Sequence, residues 1–311
     1  GSGPTCAPPR CVAGFSRPPP NPSSSTCPPP PRPRRHHPPT PQADATYCAG
    51  LRAHQFDLDT DFGAAHRFAD HGSAAERSAK RAKRILVEAP DMRSSLPLAF
   101  SSSIFLRVDA ARMHLWKALI TGPEDTPYSS GCFLFDIMLP SDYPTSAPKV
   151  VMTTTGGGSV RFNPNLYADG KVCLSLLGTW HGDSGEVWHP DTSTVLQVLM
   201  SVQALIMVPD PYFNEPGFER DRGTKAGDYK SDSYNQRIRE YTLRHAMLSH
   251  LRKPPREFSE VVRTHFALKR NQVLNQVCAW VSEASGEHRA TMSSLQRELQ
   301  VELDKLIDTA T

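Results

Sequence analysis

The chain has 311 residues, 29 of them proline, is 38% hydrophobic, and carries a formal net charge of +3 from 35 Lys+Arg against 32 Asp+Glu. At roughly 100–200 residues per domain this length holds one large domain or two small ones, and so even a charge balance lacks the basic footprint of a dedicated nucleic-acid binder. No apolar run approaches the roughly 18 residues of a membrane span, and no secretory signal pattern is present, although the chain opens on Gly1 rather than Met, as a fragment or a processed product does.

The first 43 residues hold more than half of the prolines and no Asp or Glu. Such a segment buries too little apolar surface to offset its ordering entropy, so residues 1–45 are expected to be a disordered tail. Within it, Pro30-x-x-Pro33-x-Arg35 has the form of a ligand for an SH3-type partner. Residues 46–72 are expected to link this tail to an ordered core of residues 73–250.

Ser73-Ala-Ala-Glu76 has capping-box spacing, and Ala79, Ala82, Ile85 and Leu86 follow at helical intervals, with Lys80, Arg81, Lys83 and Arg84 on the outward side. After Pro90 the period becomes two. Ser103–Val108, Met113–Thr121, Gly131–Leu139 and Lys149–Thr153 are expected strands, and their short connections suit an antiparallel meander. An irregular stretch from Thr155 to about Asp191 follows, long enough to suggest function. Helices are expected at Thr192–Val208, Asn235–Leu251, Arg256–Ala284 with a break, and Thr291–Ile307, where Leu295, Leu299, Leu303 and Leu306 form a packing seam. Residues 251–311 thus make a helical extension. The fold class is α+β.

Seven cysteines, with no C-x-x-C pair and no zinc-type spacing, fit a reducing cytosol or nucleus better than a secreted scaffold. Cys132 and Cys278 lie in apolar stretches that suit packing. Cys173 instead lies inside the irregular stretch, beside Lys171, a cation that favours the thiolate. His181 and His189 raise a Cys–His protease reading, but nothing in the sequence supplies an orienting partner or an oxyanion site. Gly156-Gly157-Gly158 lacks the G-K-[ST] of a phosphate loop.

Arg161-Phe-Asn163-Pro164-Asn165-Leu-Tyr167 followed by Gly170-Lys-Val-Cys173-Leu resembles the active-site stretch of ubiquitin-conjugating enzymes, in which a His-Pro-Asn triplet precedes the catalytic Cys by eight residues. Gly122-Pro123, Pro127-Tyr128-x-x-Gly131, Tyr143-Pro144-x-x-x-Pro148 and Trp188-x-Pro190 stand in the family's order, so the resemblance covers about Ser73 to Ile238. Leu176–Trp180 and Tyr212-Phe-Asn-Glu-Pro-Gly217 point to the large type, similar to the conjugating domain of a giant inhibitor-of-apoptosis hybrid, with an enzyme of dual ubiquitin-like specificity as the competing relative.

The resemblance implies the UBC-like fold: an N-terminal helix, a four-stranded antiparallel sheet, an active-site loop and C-terminal helices. It implies that Cys173 accepts ubiquitin or a related modifier as a thioester from an activating enzyme and passes it to lysines of substrate proteins, with or without a ligase. Asn165 would steady the oxyanion or the loop, and Glu215 matches an acidic gate, with Asp210 second. No cofactor and no metal are implied. The competing readings are a non-catalytic ubiquitin-binding scaffold and an adaptor working through its tail. Departures from the pattern are Asn163 for the motif His, Ser175 for a common Asp, Thr145 for a common Phe, Asp191 after Pro190, and about seven extra residues from His181 to Val187.

Overall fold

The computed structural model describes residues 40–70, 78–180 and 186–308. Most of the tail with its SH3-type motif, the Ser73–Glu76 capping box, and all of the His181–Val187 insertion except its last two residues lie outside the described residues.

Order begins earlier than expected. Helix α1 (Pro41–Leu51) starts with proline at its first turn, where the missing N–H costs nothing, and Thr40 caps it by accepting the Ala43 N–H at 3.2 Å. Strand β1 (Phe56–Thr60) follows, so the described part of the expected linker, residues 46–70, belongs to the fold. Helix α2 (Ala79–Ser95) is capped by Ser78 and runs through Pro90, carried across it by the buried Ala89 and Met92. Of its basic side, Arg81 is in fact buried and donates to the Leu139 carbonyl at 3.2 Å.

Strands β2 (Ile104–Asp109), β3 (Leu115–Thr121), β4 (Cys132–Met138) and β5 (Lys149–Met152) form the expected antiparallel meander. The sheet has a fifth member, because β1 adds to the edge of β2 in parallel, Phe56 opposite Leu106. Helix α3 (Val195–Ser201) loosens into a π-wound turn, Val202–Ile206. Helix α4 (Lys225–Tyr241) runs through a π-wound segment, Thr242–Leu248, into α5 (Ser249–Arg252). Helices α6 (Ser259–Glu283) and α7 (Gly286–Asp308) complete the chain, and α6 is unbroken.

Alternation along the strands sorts their side chains into two cores. Ile104, Leu106, Trp116, Ala118, Phe133 and Phe135 face Ile85, Met92, Val198 and Leu199 of α2 and α3. Phe105, Leu119 and Cys132 face the other way, onto Tyr47, Met247, Val262, Phe266, Leu295 and Leu299. The sheet is therefore roofed on both faces, and the helical extension is the second roof.

Polar groups pin that roof down. His265 is fully buried; its Nε2 donates to the Ser130 carbonyl at 3.1 Å, which leaves Nδ1 to accept from the Tyr47 hydroxyl at 2.7 Å. Lys269 donates to the Phe100 carbonyl at 2.6 Å, and Gln276 and Ser129 exchange two bonds of 2.9 and 2.7 Å. Burial lowers the His265 pKa to about 3 and that of Lys269 to about 8.

Candidate active site around Cys173

The segment after β5 has no ladder of its own, so its backbone is held by turns and side chains. Gly170, at φ +93°, lets the chain pass the end of β5; a Cβ there would sit 2.5 Å from the Met152 carbonyl oxygen. The Met152 N–H donates to the Gly170 carbonyl at 2.8 Å, and the Tyr167 N–H to that of Lys171 at 3.0 Å. Val172, Cys173 and Leu174 enter the interior, with Cys173 3% exposed.

Asn165 and Cys173 are joined twice. The Cys173 N–H donates to the Asn165 carbonyl at 2.9 Å, and Asn165 Nδ2 donates to the Cys173 carbonyl at 3.1 Å. On the far side of the cysteine, Thr179 Oγ1 donates to the Val172 carbonyl at 2.7 Å and accepts the Leu174 N–H at 3.0 Å. The thiol is thus carried on a backbone fixed from both directions.

Asn163, fully buried, stands where the family motif has His, and it uses both ends of its amide. Its Nδ2 donates to the Tyr128 hydroxyl at 2.9 Å and to the Ile206 carbonyl, in the π-wound turn after α3, at 2.7 Å. Its Oδ1 accepts the Asn165 N–H at 2.8 Å and lies 3.5 Å from Asn214 Nδ2. Tyr128 in turn donates to the Phe162 carbonyl at 2.9 Å, and burial holds its phenol well above its ordinary pKa. Asn163 therefore props the turn that carries Asn165, with more bonds than one imidazole can make.

Glu215 is partly exposed and pairs with Arg161 at 3.2 Å. Asp210 is held elsewhere, accepting from the Ser231 hydroxyl at 3.1 Å with Arg222 at 3.8 Å. His189 contributes its backbone to the cap before α3, exchanging bonds with Ser193; His181 lies outside the described residues. Among the described residues no cluster of His, Cys, Asp and Glu could hold a metal ion, and no helix is long and apolar enough to cross a membrane.

Three contributors escaped the sequence reading. Tyr128 and Thr179 stand inside sequence motifs that assign them no role, and Arg161 opens the Arg161–Tyr167 motif without a role of its own. Hydroxyls and guanidinium groups that bond to carbonyls leave no spacing signature, so only the arrangement in space reveals them.

The family model described as ubiquitin-conjugating enzyme matches residues 84–242. The chain is 50% identical over 241 residues to the dual E2 ubiquitin-conjugating enzyme/E3 ubiquitin-protein ligase BIRC6 of Homo sapiens, covering 74% of this chain and 5% of that protein. It is 51% identical over 207 residues to the probable ubiquitin-conjugating enzyme protein 17 of Caenorhabditis elegans, covering 67% of this chain and 28% of that protein. With the putative ubiquitin-conjugating enzyme E2 38 of Arabidopsis thaliana it shares 40% over 231 residues, covering 74% and 68%. The match to BIRC6 agrees with the large type expected from Leu176–Trp180 and Tyr212–Gly217.

Proposed function

The chain belongs to the ubiquitin-conjugating enzyme family, a family of transferases, and from that premise we propose that Cys173 carries ubiquitin as a thioester. Cys173 Sγ attacks the carbonyl of the modifier's C-terminal glycine, and the thiolate of an activating enzyme leaves. A substrate lysine then attacks the same carbonyl, the Cys173 thiolate leaves, and the amine gives up a proton. A free lysine with a pKa of about 10.4 is only about one part in a thousand neutral near pH 7, so the second step needs help with that proton. Glu215 is the acidic group proposed to give it.

The observation that carries this reading is the pair of hydrogen bonds between Asn165 and Cys173, backed by Asn163 and Tyr128. It supports a fixed nucleophile rather than a packing cysteine. In this scheme the Asn165 amide steadies the loop that holds the thiol. We extend the proposal to the choice of substrate without a separate ligase, following the name of the BIRC6 relative, to an SH3-type partner for Pro30–Arg35, and to a reducing cytosol or nucleus as the setting.

The test is a loading reaction with activating enzyme, ATP-Mg and ubiquitin, resolved with and without reductant. A reductant-labile adduct that disappears in Cys173→Ala is expected. Failure to load ubiquitin or any related modifier would leave the ubiquitin-binding scaffold.

A further inference from the structure

Arg161 is where the active-site turn meets the loop after α3. Its Nε donates to the Asn163 carbonyl at 3.2 Å and its Nη2 to the Pro164 carbonyl at 2.6 Å. The same Nη2 reaches Glu215 Oε2 at 3.2 Å, and the guanidinium carbon lies 4.4 Å from the centre of the Tyr167 ring. Three parts of the site, the turn before Asn165, the segment before Cys173 and the acidic loop, thus converge on one side chain.

A lone surface ion pair contributes little, because two flexible chains must be ordered to make it. Here the guanidinium is already held by two carbonyls and an aromatic face before Glu215 arrives, so the carboxylate meets a fixed partner. Its plane offers several donors at fixed angles, a geometry an ammonium cannot copy.

We propose that Arg161 is a positioning residue for transfer: it anchors Glu215 to the turn that carries Asn165, and so sets where an incoming primary amine meets a carboxylate relative to Cys173. The proposal rests on the thioester reading and deepens it. Arg161 touches neither modifier nor amine; it acts through Glu215.

The experiment separates the two steps. The whole chain is loaded with ubiquitin, the activating enzyme is quenched, and discharge is followed over a range of free lysine concentrations. For Arg161→Gln the discharge rate constant should fall about tenfold relative to the loading rate constant, with the loss at low lysine concentration exceeding that at saturation. Arg161→Lys should recover only part of this, because it restores the charge without the fork. Arg161→Gln combined with Glu215→Gln should discharge no more slowly than Glu215→Gln alone.

Equal slowing of loading and discharge with a lowered Tm would make Arg161 a structural prop and overturn the proposal. Additive losses in the double variant, or full rescue by Lys, would overturn it as well. Failure of the unaltered chain to load at all strikes the thioester reading itself, and this inference falls with it.

Discussion

Asn165 and Cys173, eight residues apart, hold each other by two hydrogen bonds that run in opposite directions, one from the cysteine backbone and one from the asparagine side chain. With the amide committed to the Cys173 carbonyl, removing it should disturb both uses of the thiol rather than one chemical step. Asn165→Ala is expected to slow loading and discharge together, by about tenfold or more. Asn165→Asp, which cannot donate, should behave the same way. Single-turnover rates of both steps decide it; a loss confined to discharge would assign the amide to the oxyanion.

Asn163→Ala removes partners from the Tyr128 hydroxyl and the Ile206 carbonyl in a buried setting. The Tyr128 hydroxyl keeps the Phe162 carbonyl and the Ile206 carbonyl keeps the Val208 N–H, while the Asn165 N–H loses its acceptor; the expected loss is about 1–3 kcal/mol of unfolding free energy, the cost of a buried polar group left unpaired. Urea denaturation measures it, and a loss below about 1 kcal/mol would contradict the propping role.

Accessibility makes a second kind of prediction about the cysteines. Cys278 is exposed and Cys173 is 3% exposed. A bulky thiol reagent should label Cys278 before Cys173, which should react only after the surrounding loop has yielded. Peptide mapping over time would show the order. Faster labelling at Cys173 would mean that the loop opens readily in solution.

Acid should loosen the second roof. Burial lowers the His265 pKa to about 3 and the His250 pKa to about 4, against 6.5 for the free group. The unfolded chain therefore binds more protons than the native one below pH 6.5, and stability falls as the pH falls through that value. From pH 7 to pH 5 each histidine should remove about 2 kcal/mol. Lys269, lowered to about 8, acts with the same sign at higher pH, stability rising between about 8 and 10.5. Denaturation of His265→Gln should show a shallower acid slope than the unaltered chain; an identical slope would sink the assignment.

The extension should also matter to the core. Phe266 is fully buried beneath the sheet, and Phe266→Ala is expected to cost about 3–5 kcal/mol. A loss under about 1 kcal/mol in chemical denaturation would mean that α6 lies on the sheet without supporting it.

The antiparallel strands were legible because each is a run of β-formers bounded by turn residues, and their ends fall within two residues of the expected ones. Strand β1 was not. Phe56-Asp-Leu-Asp-Thr60 is short, and it pairs in parallel with residues fifty positions away, which no local pattern announces. Helix α1 was hidden by its setting: Pro41 looks like more of the tail, and only Tyr47 and Leu51 are buried to mark a face. Pro90 misled in the opposite direction, since packing carried α2 past it. At the site, the eight-residue interval from Asn165 to Cys173 was readable as a resemblance. That the amide bonds to the cysteine's carbonyl, and that Arg161 ties Glu215 to the turn, depended on directions in space that the spacing of residues does not record.

The double roof over the sheet has a consequence in time. Strands β2 to β4 leave the ribosome more than a hundred residues before Val261, Phe266 and Leu299, the side chains that cover Phe105 and Leu119. At roughly 5–20 residues per second, that is an interval of roughly 6–30 seconds in which one side of a finished sheet has only α1, through Tyr47 and Leu51, to cover its apolar surface. A nascent chain in that state is a natural client for a chaperone, and its release would be governed by synthesis of the last helices rather than by folding of the catalytic core.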